Sequence, residues 1–209
     1  MSDVLLATGD AAKAVDARSG SDAARGATTS IGMIVALSAL GMTFAAMLLA
    51  YAIVRTQSPA WPPPGEAPLP PQWGWRVLAT AASIAGSVAM AGTARRARTG
   101  RDARRPLAAA AGSGLVFLAA QAAALVALGR AGAGPGAGLA ASVVYALCSF
   151  HALHVVAALL ALTSVLGPAW AGARGAVPLA RLARVDAVAA FWHLVTAVWC
   201  VVFLGVFVL

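Results

Sequence analysis

Three histidines, a glutamine and two tryptophans are the residues of this sequence best placed to do chemistry, because each lies inside a long uncharged stretch. His151 and His154 are three residues apart, so on a helix they project from one face about one turn apart. Trp192 and His193 stand next to each other, with Thr196 and Trp199 following, and Gln121 lies in an earlier stretch. An imidazole buried in apolar surroundings has three uses. It ligates haem iron, and His154 with His193 is a pair that two facing helices would supply for a b-type haem. Three histidines leave no room for two bis-histidine haems. It joins helices in a hydrogen-bonded cluster, here the fourth apolar stretch to the fifth, or holds a lipid headgroup. Or it is neutral and merely satisfied by a nearby carbonyl or by a hydroxyl such as that of Ser149.

Other chemistries lack their parts. The sequence has no carboxylate pair, no nucleophile beside a plausible base, and no glycine-rich loop running into Lys-Ser/Thr. No Asp or Glu falls in the middle of an apolar stretch, whereas pumps and ion-coupled transporters rely on such carboxylates. Cys148 and Cys200 lie in apolar runs without CxxC or zinc spacing, and read as small hydrophobes. No residue is assigned a catalytic, cofactor-binding or metal-ligating role.

The elements that carry these residues follow from composition. Of 209 residues 61% are apolar and 11% charged, with a mean hydropathy of +0.83; a soluble domain is less apolar and about a quarter charged. The net charge of +8 does not indicate nucleic acid, because the basic residues sit in short clusters between uncharged runs rather than on a soluble folded face. About 20 apolar residues cross a bilayer as a helix. Five runs qualify, at about 31–54, 73–94, 107–129, 139–166 and 185–209. The fold class expected is an all-α membrane protein, a bundle of five transmembrane helices over residues 31–209. Residues 1–30, rich in Ala, Ser and Gly with alternating charge, form a polar tail, partly disordered or peripheral. They lack the basic start and apolar core of a secretory signal.

The connections agree. Residues 56–72 hold seven prolines, with Trp61, Trp73 and Trp75 placed as an interfacial belt. Residues 130–138 form a glycine-rich turn, and Gly167–Pro168 is expected to end the fourth span. Twelve basic residues fall on the side of the tail, six of them arginines between spans two and three, against Arg55, Arg76 and Arg130 on the other. The positive-inside rule puts the amino terminus in the cytoplasm and the carboxyl terminus outside. The six arginines also suit anionic headgroups. Small residues four apart, such as Ala82 with Gly86 and Ser83 with Ser87, let helices approach closely.

The polar residues then carry a family likeness. Ser149-Phe150-His151-Ala152-Leu153-His154-Val155 resembles the Gly-Phe-His-Gly-Leu-His-Val block of cytochrome c oxidase subunit III, of the haem–copper oxidases. Phe191-Trp192-His193-Leu194-Val195-Thr196-Ala197-Val198-Trp199 resembles that family's last helix, Tyr-Trp-His-Phe-Val-Asp-Val-Val-Trp. Gly32-Met33 through Phe44 to Tyr51 and Arg55 is similar to the first span of bacterial members, and Gly114 to Phe117-Leu118 with Gln121 to a Gly-x-x-Phe-Leu-x-x-Gln block. The blocks occur in family order, and the five-span count is that of the short bacterial form. Three family carboxylates are replaced. Ala39-Leu40 stands for Ser-Glu, Ala122 to Ala124 follow Gln121 without an acid, and Thr196 stands for Asp.

The resemblance implies a subunit without redox cofactors of its own. Haem and copper would reside in subunits I and II, beside which this chain packs in the bacterial cytoplasmic membrane, enclosing phospholipid and supporting sustained turnover in aerobic respiration. His151, His154, Trp192, His193, Gln121 and Trp199 would shape the lipid cleft or fix helix contacts. A subunit III-like component of a nitric oxide reductase or a quinol oxidase shares the framework, and a small b-type cytochrome anchor is a further alternative.

Overall fold

Hydrocarbon offers a peptide group no hydrogen-bond partner, so a lone chain segment crossing it bonds to itself as a helix. The computed structural model describes residues 31–66, 69–70, 73–170 and 179–208. Within them all five apolar runs are helical: α1 (Ile31–Gln57), α2 (Trp73–Arg98), α3 (Arg104–Arg130), α4 (Leu139–Trp170) and α5 (Leu179–Val202), the last continuing as a π-helical turn over Phe203–Val208. Each is long and apolar enough to cross a membrane, and no strand occurs among the described residues. The chain is an all-α multi-pass membrane protein. It divides into two units at Ala39 and Leu40. In the first, the described residues 31–39 are helical; the second carries the core.

The helices outrun the apolar stretches that mark them. α2 continues beyond Ala94 to Arg98, and α3 begins at Arg104 rather than Leu107. Hydropathy stops at the first charge, but the backbone goes on bonding into the headgroup layer, where arginine is a good helix former. At the end of α2, Arg95, Arg96 and Arg98 also face the negative pole of the helix dipole. The fourth helix does not stop at Gly167–Pro168; it runs on to Trp170. A proline there removes only its own amide donor, and the neighbouring amides carry the helix one more turn. The expected tail over residues 1–30 and the loop segment 171–178 lie outside the described residues.

Packing mixes small and large side chains at heptad spacing. α2 buries Arg76, Ala79, Ser83, Gly86, Met90 and Thr93; α3 buries Leu107, Ala110, Gly114, Phe117, Gln121 and Ala124. Steps of three and four keep one narrow seam facing the partner, the geometry of left-handed crossings. α2 and α3 form the most extensive pair, and α5 packs against α2 and α4. The remaining faces are apolar too: Val88, Leu115, Leu153 and Leu160 are exposed. Such a surface would aggregate in water and is matched by lipid.

One loop latches another. The Glu66 carboxylate, between α1 and α2, accepts hydrogen bonds from the Leu139 and Ala140 amides (2.7 and 2.9 Å) at the start of α4. These are donors that the helix itself cannot satisfy, next to the positive pole of its dipole. Gly138 makes the approach possible, because a Cβ there would collide with Glu66. Glu66→Ala is expected to lower stability by about 1–2 kcal/mol, and Glu66→Gln, which keeps one acceptor, by less. Thermal unfolding of the detergent-solubilised variants measures both.

Candidate functional site

Thr80, Ser83 and Ser87 recur at helical spacing and so share one face of α2; His193, Thr196 and Trp199 do the same on α5. The two helices run in opposite senses, so the sets meet rung by rung. The Trp199 indole N–H donates to the Thr80 hydroxyl (3.0 Å), which itself donates to the Arg76 carbonyl (2.9 Å). The Ser83 hydroxyl donates to Thr196 Oγ1 (3.2 Å), and Thr196 returns a bond to the Ser83 carbonyl (3.3 Å). Ser87 Oγ lies 2.6 Å from His193 Nδ1. This polar seam is the most continuous feature of the bundle interior. It ties the second span to the fifth, where the expected histidine cluster joined the fourth to the fifth.

Trp192 is wedged beside the seam. A Cβ on Gly86 of α2 would stand 2.8 Å from its indole nitrogen and 2.5 Å from the Ser113 hydroxyl; a Cβ on Gly114 of α3 would stand 2.9 Å from Leu159 and 3.0 Å from the far edge of the indole. Two glycines on neighbouring helices thus form a slot for one ring. Ser83, Phe117, Val155, Val195 and Thr196 border a small cavity next to it.

The α4 histidines occupy a different place. His151 is fully buried in a box of Phe44 (centroids 5.9 Å), Phe117 (5.3 Å) and Trp199 (5.2 Å), and neither ring nitrogen has a hydrogen-bond partner. Ser149, the hydroxyl expected to satisfy it, is exposed on another face. His154 Nδ1 donates to the Phe150 carbonyl (2.7 Å) of its own helix, which accepts only, so Nδ1 carries the proton. Its ring also meets Phe150 and Phe44. Gln121 is buried in α3 and Cys148 is buried in α4.

Of the residues singled out from sequence, the structure brings His151, His154 and Trp199 into one aromatic cluster through Phe44 and Phe117. His193 and Trp192 face α2, and Gln121 is buried in α3 outside that cluster. The α2 hydroxyls of the seam were not recognised as polar partners, although their spacing over Thr80, Ser83 and Ser87 would have marked one face. No group of three or more His, Cys, Asp or Glu side chains suited to a metal occurs among the described residues.

Fold and site define a helical multi-pass membrane protein in which interior polar groups of α2 and α5 bond to one another. No family model matches the chain. A cytochrome c oxidase subunit 3 from Synechocystis sp. (strain ATCC 27184 / PCC 6803 / Kazusa) is 30% identical over 184 residues, a match covering 85% of this chain and 74% of that protein. The chain belongs to the cytochrome c oxidase subunit 3 family.

Two measurements probe this geometry. Gly86→Ala and Gly114→Ala are expected to destabilise the chain by about 1–3 kcal/mol each through overpacking, whereas Gly112→Ala, which meets nothing within 4 Å, leaves the unfolding temperature unchanged or raises it. His193→Ala is expected to cost about 0.5–2 kcal/mol by breaking a rung of the seam, while His151→Phe is neutral or stabilising, since it removes two unpartnered polar atoms from an apolar box. Denaturation in mixed micelles compares the two.

Proposed function

We propose that this chain is the non-catalytic subunit III of a haem–copper terminal oxidase, in a short five-helix form. It packs beside the catalytic subunit, holds phospholipid and supports sustained turnover in aerobic respiration. Haem and copper reside in subunits I and II, its protein partners. The observation that carries the reading is the match with the Synechocystis chain, which extends over 85% of this one and so includes most of the bundle rather than one motif.

The interior chemistry supports the same reading. Hydroxyl, indole and imidazole groups of the seam bond to one another across α2 and α5, an arrangement that fixes helices. His151 and His154 of α4 meet Phe44 edge-on, and Phe117 of α3 meets His151 and Trp199 in the same way, so the ring cluster ties several helices together. Charge asymmetry supports an orientation with the amino terminus inside. The arginine-rich end of α2 adjoins the start of α5 through the Arg98–Asp186 ion pair (2.9 Å), and both belong on the cytoplasmic side by the positive-inside rule.

Affinity purification of the tagged chain from its native membrane tests the proposal. A haem- and copper-bearing partner is expected to co-purify, and the chain stripped of that partner is expected to show no Soret band. A bis-histidine haem spectrum retained by the isolated chain and lost in His193→Ala would overturn it in favour of a b-type cytochrome, and purification free of any oxidase would remove the respiratory role.

A further inference from the structure

A cavity of about 10 Å³ lies where four helices meet, lined by Ser83 of α2, Gly114 and Phe117 of α3, Val155 of α4, and Trp192 and Thr196 of α5. That is about the room of one water molecule and too little for a second. The cavity is deep in the bundle. Ser83 stands about 18 Å along α2 from Arg95 and about 10 Å from Arg76, at 1.5 Å per residue. At that depth neither headgroups nor bulk water serve a hydroxyl.

The polar groups on its wall have bonding capacity left over. The Ser83 hydroxyl donates to Thr196 Oγ1 at 3.2 Å, and Thr196 donates to the Ser83 carbonyl at 3.3 Å. Both are long against the roughly 2.7–2.8 Å usual for a hydroxyl donor and an oxygen acceptor. These bonds use both hydroxyl protons and spare most of the lone pairs. Among the described residues Ser83 Oγ accepts from no group, and Thr196 Oγ1 accepts one bond where it has room for two. Trp192 supplies the complement. Its side chain is buried, yet its indole N–H has no hydrogen-bond partner among the described residues. The fully enclosed side-chain atoms without a partner are the two nitrogens of His151, so Trp192 Nε1 borders open space rather than packed carbon.

We propose that this cavity binds one structural water, which donates to Ser83 Oγ and Thr196 Oγ1 and accepts from the Trp192 indole N–H. About three hydrogen bonds are the ordinary complement of a buried water, whereas an apolar guest of the same size would leave all three groups unmet. The water joins the middle rung of the α2–α5 seam to the ring wedged between Gly86 and Gly114, so the hydrogen bonds of one helix pair and the slot formed with α3 share a part. Thr196 stands where the resembling family block has aspartate. A hydroxyl with its water supplies hydrogen bonding at that position without a charge. The inference rests on the α2–α5 seam and not on the oxidase role.

Radiolytic footprinting of the full-length chain in lipid nanodiscs, with a radical scavenger in the bulk solution, tests it. A bound water split by an X-ray pulse oxidises the side chains that touch it, and mass spectrometry reads the added oxygen. Trp192 and Phe117 line the cavity; Trp199 and Phe44 are buried too and do not. The expected result is oxygen added to Trp192 and Phe117 and none to Trp199 and Phe44. The label on Trp192 is expected to be lost in Thr196→Val, which keeps the shape of the side chain and removes one acceptor. The direction separates this from a structural effect, because a bundle loosened by the substitution admits water and gains label. Equal labelling of the two pairs overturns the proposal, as does a Trp192 label that is unchanged or raised in Thr196→Val. So does the absence of label on Trp192 in the wild-type chain, which marks the cavity as dry. If Thr196→Val does not fold, Ser83→Ala, which removes the other acceptor, takes its place with the same outcomes.

Discussion

A hydroxyl or an imidazole in hydrocarbon has no water to turn to, and the α2–α5 seam answers that constraint. In an aqueous interior each of its bonds would compete with solvent and contribute little. Here the alternative to Thr80 for the Trp199 indole, or to Thr196 for the Ser83 hydroxyl, is an acyl chain or a backbone carbonyl already in use. Interhelical bonds of this kind average well under 2 kcal/mol each, because a separated helix also finds internal partners. Their effect lies in register. Rungs at Thr80, Ser83 and Ser87 can meet Trp199, Thr196 and His193 in one alignment of the two helices, and a shift of one turn breaks them together.

The register then lets dispersion act. Lipid tails are as apolar as leucine, so helices in a bilayer gain little from hiding apolar surface and more from close contact. The small members of the heptad, Ala79, Ser83 and Gly86 on α2 with Ala110 and Gly114 on α3, let the two backbones come near, and the Trp192 ring fills the slot left by Gly86 and Gly114. Ridge-and-slot packing of this kind tolerates few changes at the slot and many on the lipid face, where Val88 or Leu160 touches only acyl chains.

Much of this was legible in the sequence. Five apolar runs of membrane length, charged only at Arg76 and Asp186 near their ends, gave the helices, and the ordered histidine blocks gave the family. Three things were only partly legible, for physical reasons. Helix ends were set short because hydropathy ends at Ala94 while hydrogen bonding continues to Arg98. Among the alternatives for His193, two set it beside α4, whereas its ring meets Ser87 of α2, because spans adjacent in sequence are not the only ones adjacent in space. The α2–α3 seam was legible only as small pairs such as Ala82 with Gly86, because in helices so rich in alanine such pairs occur on several faces and do not mark the one that packs. His151 is the residue where local expectation failed most clearly. A buried imidazole is ordinarily bonded, and this one is enclosed by rings.

The tryptophans record the two environments of the molecule in their placement. Trp192 and Trp199 are enclosed among glycine, phenylalanine and histidine, whereas Trp73 and Trp75 stand open at one rim. The first pair reports on the interior by blue-shifted emission insensitive to aqueous quenchers; the second responds to brominated acyl chains and to headgroup composition. The chain thus carries its own optical depth gauge, in which loosening of the helix core and rearrangement of the surrounding lipid register as separate signals.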